Sequence, residues 1–134
     1  MVCRKGDTLI LDGKQYVITI NGKRFHCAMD ITMHYIGGKW KTVILWYFKK
    51  EKKRFNELNK LIPEITEKML SIQLKQLEES GLVQRKVFPQ VPLRVEYSLT
   101  PFGKSLIPVL DVIAKWGRKT GRAKGKVLEI QQKF

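Results

Sequence analysis

The sequence predicts an α+β chain, mainly helical, and three observations carry that reading. Apolar residues recur at helical spacing through most of positions 27–116. Two alternating runs, LVQRKVF (82–88) and RVEYSLT (94–100), flank the turn Pro89-Gln90-Val91-Pro92. Two turn dipeptides, Asp12-Gly13 and Asn21-Gly22, punctuate the first 25 residues.

Taken in order, residues 8–25 (TLILDGKQYVITINGKRF) place the β-branched and aromatic run Tyr16–Ile20 between the two turn signals. Both central positions of such turns favour positive φ, so a small β-hairpin or a three-stranded meander is expected. From Cys27 the period becomes helical. Met29, Met33 and Ile36 share one face, and Gly37-Gly38 ends that helix. A second helix begins near Lys39, with Trp40, Val43, Ile44, Tyr47 and Phe48 at helical spacing, and the charged turn KKEKK (49–53) follows. Phe55, Leu58, Leu61 and Ile62 make a short third helix closed by Pro63, which disfavours helix at the residue before it.

Thr66 is the expected N-cap of a fourth helix, with Glu67 placed to suit the helix dipole. Leu70, Leu74 and Leu77 form its buried stripe, and Gly81 stands where a C-terminal glycine belongs. The two alternating runs then make a hairpin with a basic-edged tip. Thr100-Pro101 opens a last helix in the cap-then-proline pattern, with Leu106, Val109, Leu110, Ile113 and Trp116 on its face and a kink expected at Pro108. The remainder, GRKTGRAKGKVLEIQQKF (117–134), reads as a basic, glycine-interrupted mobile tail.

The chain has 134 residues, 43% of them hydrophobic, enough for one domain with a packed core. Its 26 Lys+Arg against 12 Asp+Glu give a net charge of +14. A surplus of that size attracts polyanions, because neutralised phosphates release their counterions. No stretch approaches the roughly 20 apolar residues of a membrane span, and the N-terminus lacks the apolar core of a signal peptide. Cys3 and Cys27 cannot make a secreted-type disulfide framework. A cytoplasmic, nucleoid-associated protein without membrane contact is expected.

Helix, turn, helix and hairpin in this order make a winged helix-turn-helix, in which the second helix of the pair enters the major groove and the wing reaches the flanking backbone or minor groove. On the fourth helix the leucine stripe leaves Lys68, Ser71, Ile72, Lys75, Gln76 and Glu79 facing away from the core. Any amphipathic helix has a charged outer face, so the neighbourhood decides. Arg54 lies beside the helix pair, and Arg85, Lys86 and Arg94 lie on the hairpin. The expected DNA-binding set is therefore Arg54, Thr66, Lys68, Ser71, Lys75, Gln76, Arg85, Lys86 and Arg94. Hydroxyls and ammoniums there meet phosphates, Lys75 or Gln76 reaches base edges, and Arg94 enters the minor groove.

Cys27, IGGKW (36–40), RFNEL (54–58), IPEITEKMLSIQLKQLEESGLVQRKVF (62–88), VEYSLTPFGKSLIPVL (95–110) and Trp116-Gly117 occur in one order and spacing. In these blocks residues 27–117 resemble the HxlR-type regulators, a bacterial winged-helix group related in architecture to the MarR-type repressors. Ala28 departs from the proline usual in the family after its N-terminal cysteine. The resemblance implies a homodimer held mainly by the first and last helices, with the last acting as a dimerisation helix, and a pseudo-palindromic duplex operator. The apolar load of the last helix, Trp116 included, agrees with a covered face. The domain organisation expected is an N-terminal β-hairpin extension (1–26), the winged-helix domain (27–117) and the basic tail (118–134).

The resemblance also makes Cys27 a candidate sensor of oxidants or electrophiles, since some family members use the matching cysteine so. Its place before a helix and near Lys23 and Arg24 suits a thiolate, and a small buried residue is the plainer alternative. The spacing of His26, Cys27 and His34 matches no zinc pattern, and neither a metal nor any other cofactor is expected. No glycine-rich phosphate loop, nucleophile elbow or HExxH is present, so no enzyme is expected. Two other readings stand beside the DNA-binding regulator. A basic interaction module on the same fold has no need of the hairpin and recognition-helix charges. An RNA-binding protein needs exposed aromatics, whereas Trp40, Tyr47, Phe55 and Tyr97 fall at core positions.

Overall fold

A computed structural model describes residues 9–11, 14–16, 18–25 and 27–130 of the chain. They fall into two compact units that divide between Gly38 and Lys39, and each is described by itself.

In the first unit β1 (Leu9–Leu11) pairs antiparallel with β2 (Lys14–Tyr16), Leu9 opposite Tyr16. Strand β3 (Ile18–Ile20) pairs with β4 (Lys23–Phe25), Ile18 opposite Phe25. Asn21 and Gly22 both take positive φ, 48° and 80°, as the tight hairpin turn requires. The run Tyr16–Ile20 is thus divided between two separate two-stranded sheets instead of forming one strand of a meander. A two-residue turn pairs the short segments on either side of it, and each segment of the run is taken by its own turn. Asp12, Gly13 and Val17 lie outside the described residues.

Helix α1 (Ala28–Ile36) follows, with Cys27 extended at its N-cap. Gly37 ends it: its N–H donates to the Met33 carbonyl at 2.8 Å, and a Cβ there would lie 2.4 Å from that oxygen. Gly38 then turns the chain with φ 99°. Phe25 and Ile36 are buried, and the His34 ring stands edge-on to Phe25 at 5.2 Å.

The second unit holds α2 (Lys41–Tyr47), α3 (Phe55–Leu61), α4 (Glu67–Glu79), β5 (Val83–Phe88), β6 (Arg94–Leu99), α5 (Pro101–Lys104) and α6 (Ile107–Lys124). Ile44, Leu45, Leu58, Leu70, Leu74, Leu77, Leu82 and Val83 are its fully buried centre, and no polar or charged residue is buried among the described residues. Trp40, Tyr47, Phe55 and Tyr97, expected in the core, are half-buried at its margin. Strands β5 and β6 pair antiparallel from Val83–Leu99 to Phe88–Arg94. Lys53 adds a one-residue third rung, its N–H donating to the Tyr97 carbonyl at 2.9 Å and its carbonyl accepting from the Tyr97 N–H at 2.8 Å.

Helix α4 ends in a glycine cap. Gly81 has φ 82°, its N–H donates to the Glu78 carbonyl, and the Leu82 N–H donates to the Leu77 carbonyl, both at 3.0 Å. Thr100 ties this end to the next element. Its hydroxyl donates to the Gly81 carbonyl and accepts the Gly103 N–H at 3.0 Å, capping α5.

Beyond Thr100 two expectations are corrected. The last helix is not one kinked rod but the short α5 and the long α6, and Pro108 stands in the first turn of α6. A proline there forfeits no intrahelical bond, so it starts a helix instead of bending one. Helical structure also continues through Gly117 and Gly121 to Lys124, where the tail was expected to have begun. The intervening Arg, Lys and Ala residues are good helix formers, and basic residues suit a helix C-terminus.

Two glycines give opposite predictions. A Cβ at Gly103 would lie 2.0 Å from the Leu82 carbonyl oxygen, whereas one at Gly117 meets nothing within 4 Å. By thermal unfolding, Gly103→Ala is expected to destabilise by roughly 1–3 kcal/mol, the range of overpacked sites. Gly117→Ala is expected to stabilise by about 0.5–1 kcal/mol, since glycine inside a helix gives up more chain entropy.

Candidate nucleic-acid interface

The surface is built outward from α4. The Thr66 hydroxyl accepts the Met69 N–H at 3.0 Å and fixes where the helix starts. At about 100° per residue, Leu70, Leu74 and Leu77 fall within about 60° of arc, and all three are buried. That rotation leaves Thr66, Lys68, Ser71, Lys75 and Gln76 exposed. In their midst Ile72 is 39% exposed, an apolar point on an otherwise polar face. Ile72 faces outward as the helical period predicts. Apolar side chains at such a position suit the thymine methyl group.

Side chains of the hairpin alternate between its faces. Lys86 and Phe88 share one face with Arg94 and Glu96, while Arg85 lies on the other with Val83 and Val87. The structure therefore does not bring Arg85 and Lys86 together, although both are exposed. Phe88 is flanked by two cations: the Arg94 guanidinium lies 3.8 Å from its ring centroid and the Lys86 ammonium 4.9 Å. Arg94 is consequently held on a platform, half-buried and with its Nε covered. At the tip itself Val91 is 100% exposed, and Leu93 is exposed beside it.

Arg54 caps α3, and its N–H donates to the Glu57 carboxylate at 3.0 Å. Glu96 links it to the wing. Lys52 makes an ion pair with Glu96 at 3.1 Å. That hydrogen bond holds the Glu96 carboxyl below its usual range against the opposing effect of burial, and the charges of Lys52, Arg94 and Arg54 add to the lowering. Arg54 and Arg94, far apart in sequence, thus share the field of one carboxylate.

In the first unit Cys27 is 4% exposed and disulfide-bonded. The other cysteine, Cys3, lies outside the described residues, as does His26. The His34 ring is engaged by Phe25 and Tyr35, with the Lys23 ammonium 3.5 Å from its Nδ1. Among the described residues no group of three or more His, Cys, Asp or Glu side chains is placed to hold a metal ion. Among them, too, no helix is long and apolar enough to cross a membrane.

A capped helix exposing lysines and hydroxyls, followed by a hairpin with cations on its face, defines a winged helix-turn-helix, the fold of a class of DNA-binding transcriptional regulators. The chain belongs to the HxlR-like helix-turn-helix family, whose profile matches residues 35–124. Among relatives it is 50% identical over 95 residues to an HTH-type transcriptional regulator of Methanothermobacter thermautotrophicus, covering 71% of this chain and 72% of that one. Among solved structures it is similar to the redox regulator HypR in its reduced form, with TM-score 0.67, 44% identity, and 69% and 91% of the two chains covered. It is also similar to the reduced transcriptional regulator YodB of Bacillus subtilis, with TM-score 0.62, 33% identity, and 71% and 94% covered.

The lowered Glu96 carboxyl gives a pH prediction with a definite sign. A carboxyl held below its ordinary value of 4.5 stabilises the fold at higher pH, and that contribution is lost as pH falls through its folded value. Melting temperatures from pH 7 to pH 3 are expected to show wild type above Glu96→Gln at neutral pH, the gap narrowing below about pH 4.5. A gap that is constant across the range would count against the ion pair.

Proposed function

We propose that this regulator is a homodimer that reads a pseudo-palindromic duplex operator, with α4 in the major groove and the β5–β6 hairpin on the flanking backbone. The observation that supports it most is the rotation of α4: burial of Leu70, Leu74 and Leu77 presents Lys68, Ser71, Lys75 and Gln76 together beside the exposed Ile72. In this reading Thr66, Lys68 and Ser71 meet phosphates near the helix start, and Lys75 or Gln76 reaches base edges. Lys86 and Arg85 meet the backbone from opposite faces of the wing, and Arg94 approaches the minor groove from its platform on Phe88. Arg54 adds a backbone contact beside the helix pair. The protein works in the cytoplasm on the nucleoid, without catalysis, cofactor or membrane.

Dimerisation is favoured by apolar faces without cover in the chain alone. On α6 Trp116 is 70% exposed, with Val109, Val112 and Ile113 exposed around it, and on α1 Met29 and Met33 are exposed. A groove of about 210 Å³ between α2 and α6, lined by Val43, Trp46 and Ile113 among others, continues that α6 face. An isologous contact uses the same patch on both copies.

We further propose that Cys27 makes the regulator responsive to oxidants. It stands at a helix N-cap, where the dipole favours a thiolate once its disulfide is reduced. The similar protein HypR is a redox regulator, and its structure is known in reduced and oxidised forms. Reduction of the Cys27 disulfide takes two electrons and two protons from a thiol reductant, and re-forming it from the two thiols returns them to an oxidant such as a peroxide or diamide.

Both parts are tested by selecting bound duplexes from a genomic DNA library and measuring affinity against random duplex. Lys75→Ala is expected to weaken selected duplexes by roughly 1–3 kcal/mol more than random ones. Equal loss on both would remove Lys75 from base readout. Diamide added to the thiol-reduced protein is expected to change the affinity of wild type for the selected duplex and to leave Cys27→Ser unchanged. An equal response of the two proteins would dismiss Cys27 as the sensor.

A further inference from the structure

Side chains on α6 divide into three faces at about 100° per residue. Leu110 and Ala114 turn toward α2, Val109, Val112 and Trp116 form the exposed apolar face, and Lys115, Arg118, Lys119 and Arg122 share a third. These four are exposed and line one open groove together with Ala123. None of them is in an ion pair among the described residues. Asp111, one turn before Lys115, is bound by Lys49, and after it no acidic residue occurs before Glu129.

Propensity lets Lys and Arg occupy this helix, but helix electrostatics do not account for their gathering on one face. The helix dipole favours cations only within the last turn, which includes Arg122 but not Lys115 or Arg118. Lys115 with Lys119, and Arg118 with Arg122, are like charges at i,i+4, an arrangement that destabilises a helix. Four cations held together against that repulsion fit a polyanion. From Lys115 to Arg122 the helix rises about 10 Å, a length over which one strand of duplex DNA carries about three charges when measured along the duplex axis, at about 3.4 Å each.

We propose that this face of α6 is a second DNA contact, separate from the helix-turn-helix, which grips the phosphate backbone outside the half-site read by α4. It rests on the DNA-binding reading above. It carries no sequence information, and it lengthens the footprint and steepens the salt dependence. It also gives the continuation of α6 past Gly117 a function: the added turns carry Arg118, Lys119 and Arg122 in register with Lys115.

The test compares three full-length proteins: wild type, Lys115→Ala/Arg118→Ala/Lys119→Ala/Arg122→Ala, and Thr66→Ala/Lys68→Ala/Lys75→Ala. Alanine is the best helix former, so α6 is retained in the stripe variant, which circular dichroism checks. Binding to a random 40-bp duplex and to polyglutamate is followed by anisotropy at about 50–200 mM salt. The stripe variant is expected to lose at least about 2 from the slope of log K against log salt, at roughly 0.9 per phosphate contact. An unchanged DNA slope overturns the proposal, and if polyglutamate binding is then lost the face belongs to an acidic protein partner. Loss of slope only in the α4 variant leaves the helix-turn-helix reading standing and removes the second contact. An α4 variant that binds like wild type sinks the α4 reading instead, and absence of salt-dependent binding by wild type sinks both.

Discussion

Burial of Leu70, Leu74 and Leu77 fixes the rotation of α4 about its own axis, and the outward surface is arranged by that rotation. Truncating any one of them to alanine costs about 2–5 kcal/mol at a fully buried site, whereas most exposed substitutions change stability by less than about 0.5 kcal/mol. The inner stripe is therefore held by packing, and the outer face is free to be chosen for recognition. Lys68, Ser71, Ile72, Lys75 and Gln76 stand together because the leucines cannot be elsewhere. The Thr66 cap at one end and the Gly81 turn at the other set the length over which this holds.

The other elements of the second unit are joined through specific connections. Thr100 binds the carbonyl of Gly81 and caps α5, so the end of α4, the base of the wing and the start of α5 meet at one hydroxyl. Gly103 lets α5 approach the Leu82 carbonyl where a side chain would not fit. Lys53 pairs its backbone with Tyr97, and Lys52 binds Glu96, so the turn after α2 braces the wing. Lys49 reaches Asp111 and ties that same turn to α6.

Elements with a local cause were readable from residues. The Asn21-Gly22 turn, the leucine stripe, the Thr66 and Thr100 caps and the Gly81 turn each depend on a few neighbours and stand where the sequence places them. Features set by distant partners were not readable. Nothing local tells that Arg94 will rest on Phe88 or that Arg54 will share the field of Glu96, because both depend on how the hairpin pairs. The division of Tyr16–Ile20 into two strands escaped a reading that treats a β-branched run as one unit. The two α6 corrections share another origin. Proline and glycine break a helix only at certain positions: Pro108 in a first turn starts a helix, and Gly117 among helix formers is tolerated.

The central claim, that α4 is turned to read DNA while its leucines hold the core, is tested most directly by amide and side-chain chemical shifts of the full chain titrated with a selected duplex. The account predicts the largest perturbations at residues 66–76 and on the wing at 85–94, with the methyl signals of Leu70, Leu74 and Leu77 almost unmoved. Perturbations confined to other surfaces, with 66–76 unchanged at saturating DNA, would contradict it.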